Sequence, residues 1–449
     1  MLKLSVKAWF LCLCFVEAIW LLAAQALGSI VLLIPCLICF VGIAVWAALK
    51  NIAVPMLLFF LPFAPLLKMR PGTISFFTIS LLAVYMVYVI RGSRNVNVAH
   101  FVPALILMIL TAVVKVINGY GFSNTYILFV ISLLLVPFCV TEMGDSDGFY
   151  YATTFFVLGI ITAALTSQIL SDSSSIARYI NVIDEMGIER RAGYYNDPNA
   201  YTAHVTAALG GVLVLLLGQL ERLKRFLLGM MAVLLYYFGL QSVSKSFLLI
   251  SVCLLICWLL ALLFQKGRIS AKILTIFTFT IVVLFLLSSS VFTDLLGLSL
   301  ARLNKGVNLS DFTTRRTDLW INYMHAFRDD IWMLIFGNGY SDVTVDGHAA
   351  HNTLIQLVYQ FGLVGSVVFI VWAVLFVRTM LDGHANKLGW AKNSILLLGC
   401  IGPWMALDYL FFDELFLIPL YLCVAMRCLS SVAEAEDTVS AESLLSAPK

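Results

Sequence analysis

One histidine in this chain stands where acid–base chemistry would be expected, at the point where a long polar segment enters an apolar one: His351-Asn352-Thr-Leu-Ile-Gln-Leu-Val-Tyr-Gln-Phe-Gly362-Leu-Val-Gly365. An imidazole with an ordinary pKa of about 6.5 can take a proton from a hydroxyl as that hydroxyl attacks. A place in the first turn of the following helix would favour the free base, because the helix N-terminus disfavours the cation. Asn352 beside it is a candidate for holding substrate. The plain structural use of the same pair is to satisfy free backbone groups at the helix start. Gly362 and Gly365, three residues apart, would lie on one helix face and let a neighbouring helix come close.

Cations gather in the polar segments. Arg190-Arg191-Ala-Gly-Tyr194-Tyr195-Asn-Asp197-Pro-Asn199 joins two arginines to a helix entry that Asp197 or Asn199 could cap. Arg315-Arg316-Thr-Asp318-Leu-Trp320 begins a run in which Leu319, Trp320, Tyr323, Met324 and Phe327 recur at helical spacing before Gly337-Asn-Gly339-Tyr340. That spacing predicts a helix along the membrane interface. Ser242-Val-Ser244-Lys245-Ser246 breaks two apolar runs with a cation at the lipid boundary, where a charge needs a partner or must snorkel to water. Lys68 and Arg70 make a further basic turn. Together the cations form a basin suited to a phosphate or pyrophosphate head group. Interfacial anchoring by Arg and Trp is the structural alternative.

The elements that must position these groups are apolar. The 449 residues are 61% hydrophobic and 12% charged, more apolar surface than a soluble core of this size buries. The apolar runs are about 16 to 22 residues long, the length of a membrane-crossing helix. The fold class is therefore all-α, a polytopic transmembrane bundle. Fourteen spans are predicted, near 8–27, 30–49, 52–67, 74–90, 100–117, 124–141, 149–170, 199–220, 226–241, 246–264, 273–293, 353–377, 393–409 and 414–430. They fall into N-terminal helices (1–170), a polar loop (171–198), further spans (199–293), a larger loop with the interfacial helix (294–352), C-terminal spans (353–432) and a polar tail (433–449).

Short basic connections (Lys3/Lys7, Arg91/Arg94, Arg222/Lys224/Arg225, Lys266/Arg268/Lys272 and Arg378/Lys387/Lys392) fall on one side if the N-terminus is cytoplasmic. Both termini are then cytoplasmic, and the two long loops face the other side. Lys3, Lys7, an apolar run and Ala24-Gln25-Ala26 have the layout of a signal peptide, read as an uncleaved anchor because a span follows at once. The ten cysteines lie in apolar segments as packing residues, and Cys36-x-x-Cys39 has no second ligand pair nearby, so no metal is expected. The net charge of +3 gives no reason to expect a nucleic acid partner.

The order of these elements resembles the O-antigen polymerase and O-antigen ligase superfamily of bacterial membrane glycosyltransferases. The resemblance covers roughly residues 190 to 365: R-x-x-G before a P-N helix start (Arg190 to Asn199), a Ser-basic-small turn (Ser244 to Ser246), R-x-x-x-W leading to G-x-G (Arg316 to Gly339), and H-N-x9-G-x-x-G (His351 to Gly365). It implies an inverting, metal-independent enzyme without a cofactor, of the C-type glycosyltransferase architecture. Its site would be at the periplasmic face of the inner membrane, and its substrate a glycan carried on undecaprenyl pyrophosphate. Carried onto this chain, the pyrophosphate ligands are Arg316 and Arg190 with their neighbours Arg315 and Arg191. Lys245 stands where such enzymes usually have arginine, keeping the charge but losing the bidentate fork. His351 would activate or orient the acceptor hydroxyl.

Substrate contacts are expected from Asn352, Asn199, Lys68, Arg70 and the aromatic residues Tyr194, Tyr195 and Tyr340. Asp408, Asp413 and Glu414 in the last outer turn are further candidates for a base or for sugar hydroxyls. The polymerases of the superfamily carry more spans than the ligases, so fourteen favours a polymerase, with a chain-length regulator as an implied partner. A ligase that transfers the glycan to the lipid A core shares the chemistry. A flippase of lipid-linked glycans would instead line a central cavity with its cations.

Overall fold

A computed structural model describes residues 6–429, apart from 70–73, 92–100, 143–145, 174, 184–188, 219, scattered positions between 266 and 286, 305–315, 342, 382–386 and 408–413. Arg70, Arg315, Asp408, Asp413 and the 433–449 tail therefore lie outside the described residues. The first half holds α1 (Val6–Ala26), α2 (Ile30–Leu49), α3 (Ala53–Phe60), α4 (Phe76–Arg91), α5 (Phe101–Ile117), α6 (Asn124–Glu142), α7 (Ser146–Ile169) and one turn, α8 (Ala177–Ile180). After these come α9 (Pro198–Leu216), α10 (Arg222–Gln241), α11 (Lys245–Phe264), α12 (Ser290–Asn304), α13 (Arg316–Asp329), α14 (Ile331–Phe336), α15 (Thr353–Leu381), α16 (Lys387–Ile401) and α17 (Leu417–Leu429).

Seven of the described helices are long and apolar enough to cross a membrane, and five shorter ones are also apolar. The protein is an all-α membrane protein, and these twelve match twelve of the predicted spans. The described strands, β1 (Asn181–Ile183) and β2 (Glu189–Arg191), form one antiparallel hairpin inside the segment expected to be loop. The short third span has a physical reason: Pro62 and Pro65 turn the chain from α3 into a buried 3-10 segment, Leu61–Leu66, where α-helical bonding would need N–H groups that proline lacks.

The bundle has two distinct ends. At one, Arg91 donates to the carbonyls of Ala48 (3.0 Å) and Leu49 (3.2 Å), Lys7 lies 3.8 Å from the centre of the Tyr151 ring, and Lys224 stands 6.0 Å from that of Tyr150. At the other, Gln25 donates to the Leu66 carbonyl at 2.6 Å, Gln168 bonds Gln241 at 2.6 Å, and the 171–198 segment folds back so that Ser175 reaches the Ala26 carbonyl at 3.1 Å. Lys7, Arg91 and Lys224 thus share the end opposite the first long polar segment.

The residues after the eleventh predicted span are helical, α12 running from Ser290 to Asn304 along α10 and α11 with Phe292 stacked 5.9 Å from Tyr236. The helix that the 319–327 spacing predicts is α13, which buries Tyr323 and Phe327 against Tyr359 of α15 and leaves Met324 exposed.

One expectation is corrected: Gly362 is a break in α15 rather than part of a helix face, at φ 66° and ψ −178°. The break releases the carbonyls of Tyr359 and Gln360 from their helical partners. The 337–341 segment takes them up: Asn338 N–H donates to Tyr359 O (3.0 Å), and Gly339 and Tyr340 N–H to Gln360 O (3.1 and 3.3 Å). Gln360 then clamps Ser341 through both backbone groups, at 2.8 and 2.9 Å. Lys115, buried in α5, donates to the Tyr340 carbonyl at 2.9 Å. A backbone break within an apolar span is tolerable only when its polar groups find protein partners, and here they do.

A β-carbon at Gly362 would sit 2.5 Å from both the Ile335 carbonyl carbon and the Gly337 nitrogen. Gly28 has a similar φ of +60° with nothing within 4 Å. Gly28→Ala is therefore expected to cost only the left-handed backbone penalty of about 1 kcal/mol, whereas Gly362→Ala is expected to undock the 337–341 segment and cost several kcal/mol. Thermal unfolding of the two variants in detergent compares them directly, and equal midpoints would remove the docking role given to the break.

Candidate functional site

Three helices that begin at the end carrying the 171–198 segment share one entry device. In each, a non-glycine residue in the left-handed region precedes a side-chain N-cap: Asn196 (φ 55°) before Asp197 of α9, Val243 (φ 48°) before Ser244 of α11, and His351 (φ 49°) before Asn352 of α15. The caps satisfy N–H groups that the first helical turn leaves open: Asp197 accepts from Asn199 N (2.7 Å), Ser244 from Phe247 N (3.5 Å), and Asn352 from Leu354 N (2.9 Å) and Ile355 N (3.3 Å). His351 thus stands two residues ahead of the first helical residue, not inside the first turn as expected. Asparagine and histidine accept the left-handed region readily, whereas a β-branched valine is strained there, at a cost of order 1–3 kcal/mol.

Two arginines from separate segments hold the strained turn. Arg190 of β2 donates from Nε to the Ser242 carbonyl at 3.0 Å, and Arg302 of α12 donates from Nη1 to the Val243 carbonyl at 2.6 Å. Both arginines are buried. Ser244 donates to Asn199 Oδ1 at 3.0 Å and lies 2.9 Å from the Ser246 hydroxyl, which ties the starts of α9 and α11 together. Half-buried Lys245 is the first residue of α11. A guanidinium carries five donors, so bracing the turn is compatible with binding an oxyanion.

His351 and Arg316 belong to a second group. Trp320, one turn after Arg316 on α13, donates to the Ala350 carbonyl at 3.0 Å, and Tyr323 donates to that of His348 at 2.9 Å. Arg316 and His351 are therefore carried on one small body, whose own core is Tyr323, Phe327, Met333, Ala350 and Tyr359. The turn after α16, Gly402–Met405, connects the two groups. Gly402 packs on Ile250 of α11, Thr353 donates to the Leu407 carbonyl at 2.7 Å, and Asn352 Nδ2 lies 3.8 Å from Met405 Sδ.

The other expected site residues have different duties. Tyr194 is fully buried, its ring tilted against Phe63 at 5.8 Å and its hydroxyl donating to Thr166 at 2.9 Å, and burial pushes its phenol well above the usual range although that bond opposes the shift. Tyr340 lies between Phe129 (4.3 Å) and Phe361 (5.7 Å) in the core. Neither can offer a ring face to a sugar. Tyr195 is only partly buried and bonds the Leu61 carbonyl at 2.8 Å. Arg191 pairs with Glu189 at 3.5 Å. Lys68 is held on the α1 side, its carbonyl accepting from Gln25 at 3.2 Å, and Glu414 is buried.

Arg302 was not singled out in the sequence beyond its place in a basic loop. A signal was present: Phe292, Leu295, Ser299 and Arg302 follow one another at three- and four-residue steps, which places the arginine on the packed face of a continuing helix.

Buried guanidinium groups, a lysine and the positive ends of linked helices favour a multiply charged oxyanion. No protein-family model matches the chain, and no curated protein matches it in sequence. Inorganic pyrophosphate is expected to raise the thermal midpoint of the detergent-purified protein, by the equivalent of about 2.7 kcal/mol at a hundredfold excess over Kd. Arg190→Gln and Arg302→Gln should each remove most of that shift. A wild-type midpoint unmoved by pyrophosphate would rule out the turn as an oxyanion site.

Proposed function

We propose that this chain is a polysaccharide polymerase of the bacterial inner membrane. It transfers an undecaprenyl-pyrophosphate-linked glycan to a hydroxyl of a second lipid-linked repeat unit, with inversion and without a metal. The observation that carries the reading is the convergence of Arg190 and Arg302 on the Ser242–Lys245 turn, linked through Gly402–Met405 to the helix entry that bears His351. The order of motifs from Arg190 to Gly365 supports it independently. Orientation follows from the basic end, with Lys7, Arg91 and Lys224, facing the cytoplasm, which leaves the site on the periplasmic side.

In this mechanism the acceptor oxygen attacks the anomeric carbon as the bond to the pyrophosphate oxygen breaks. His351 takes the hydroxyl proton, and undecaprenyl pyrophosphate leaves with its growing charge held by Arg190, Arg302, Arg316 and Lys245. A pyrophosphate whose charge is stabilised is already a good leaving group, so cations and one base suffice. All fourteen predicted spans belong to this reading, with both termini in the cytoplasm and a chain-length regulator as partner.

Loss of a positioned general base typically lowers a rate by about 10²–10⁴. His351→Ala in the native host, with membrane insertion verified, is accordingly expected to collapse the surface polysaccharide ladder to core bearing a single repeat unit. Loss of every repeat, including the first, would identify a ligase that transfers to the lipid A core. An unchanged ladder would overturn the catalytic role of His351.

A further inference from the structure

Among the described residues, three buried polar atoms beside α15 have no hydrogen-bond partner: Nε2 and Oε1 of Gln356 and the hydroxyl of Ser341. The two residues are 5% and 3% exposed. Gln356 sits one turn inside α15, its N–H donating to the Asn352 carbonyl at 2.9 Å, and Gln360 follows four residues later. Residues four apart on a helix share a face, with β-carbons about 5–6 Å apart. Gln360 is the residue that grips Ser341, at 2.8 and 2.9 Å. The Gln356 amide and the Ser341 hydroxyl therefore lie on one side of α15, about a turn below His351 and Asn352.

Two other polar residues of this helix are satisfied within the chain. Thr353 bonds the Leu407 carbonyl at 2.7 Å and Ser366 the Gly362 carbonyl at 2.5 Å. A buried amide with both of its polar atoms unpaired is an exception that calls for an explanation. The set is neutral, able both to donate and to accept, and it is close to a proton acceptor. Such a set complements neighbouring hydroxyls on a sugar ring and has no charge with which to hold a phosphate.

We propose that Gln356 and Ser341 bind hydroxyls of the acceptor sugar and hold it beneath His351, a proposal that rests on reading the chain as a glycosyltransferase. The donor pyrophosphate then occupies the arginine turn, and the neutral acceptor sugar occupies the 337–341 side of α15.

The probe is an oligosaccharide released from the host's surface polysaccharide by partial acid hydrolysis, which carries no lipid or phosphate anchor. Its affinity for the detergent-purified full chain is measured by calorimetry alongside each variant's thermal midpoint. Gln356→Leu is expected to weaken binding about tenfold, a factor matching the loss of one to two neutral hydrogen bonds. Its midpoint should be unchanged or higher, because it removes unpaired polar atoms. Ser341→Ala should weaken binding several-fold.

Gln356→Leu binding as tightly as wild type, wild type failing to bind the oligosaccharide, or a midpoint lowered by Gln356→Leu would each overturn the proposal. If His351→Ala leaves the ladder intact while Gln356→Leu weakens sugar binding, the catalytic reading falls and the sugar site stands. The reverse pattern removes only the sugar site.

Discussion

The docking of residues 337–341 into the break at Gly362 is the constraint on which the second half of the structure depends. An apolar helix that loses its hydrogen-bonding register in a membrane exposes carbonyls that lipid cannot satisfy, so the break and the inserted segment must form together. Gly339 and Tyr340 take up the Gln360 carbonyl, and Lys115 closes the far side of the segment on Tyr340. Once the segment is docked, α14 and α13 have fixed origins, and α13 can hold Ala350 and His348 through Trp320 and Tyr323. The place of His351 is thus set by a contact made a full helical segment away. Gly337, Gly339 and Gly362 are at positive φ, and the backbones there approach too closely for a β-carbon.

The turn between α10 and α11 solves a different problem with the same economy of means. A strained valine turn would relax unless its carbonyls were held, and charge-assisted bonds of about 1.5–3 kcal/mol each are of the right size to hold it. The two arginines that do so arrive from a β-hairpin and from α12, so folding these segments onto the bundle is what concentrates the positive charge. Strain at Val243 and burial of cations are two sides of one arrangement. A structural purpose alone would be met by a glycine at 243 and no arginine at all.

What the sequence discloses and what it hides follow from the range of the interactions. Apolar length is local, so twelve of the apolar helices were legible, and caps such as Asp197 and Asn352 were legible from the residues flanking them. Side-chain direction in the loops is not local. Tyr194 and Tyr340 sit beside basic and glycine-rich motifs and read as sugar platforms, yet each turns into the core to meet residues distant in sequence. Lys115, 225 residues from Tyr340, could not be linked to it by any pattern. Gly362 illustrates a true ambiguity: two glycines three apart read equally well as a smooth helix face or as a break, and only the arrival of 337–341 decides.

The division of the site into two groups also bears on its chemistry. Arg190, Arg302 and Lys245 belong to the α9–α11 body, whereas Arg316 and His351 ride on the small body built around Tyr323 and Tyr359, and the Gly402–Met405 turn is the connection traced between them. On the proposed reading the leaving group draws on both bodies, Arg190, Arg302 and Lys245 from one and Arg316 from the other, so the short Gly402–Met405 turn that joins them sets the spacing between the cations and His351.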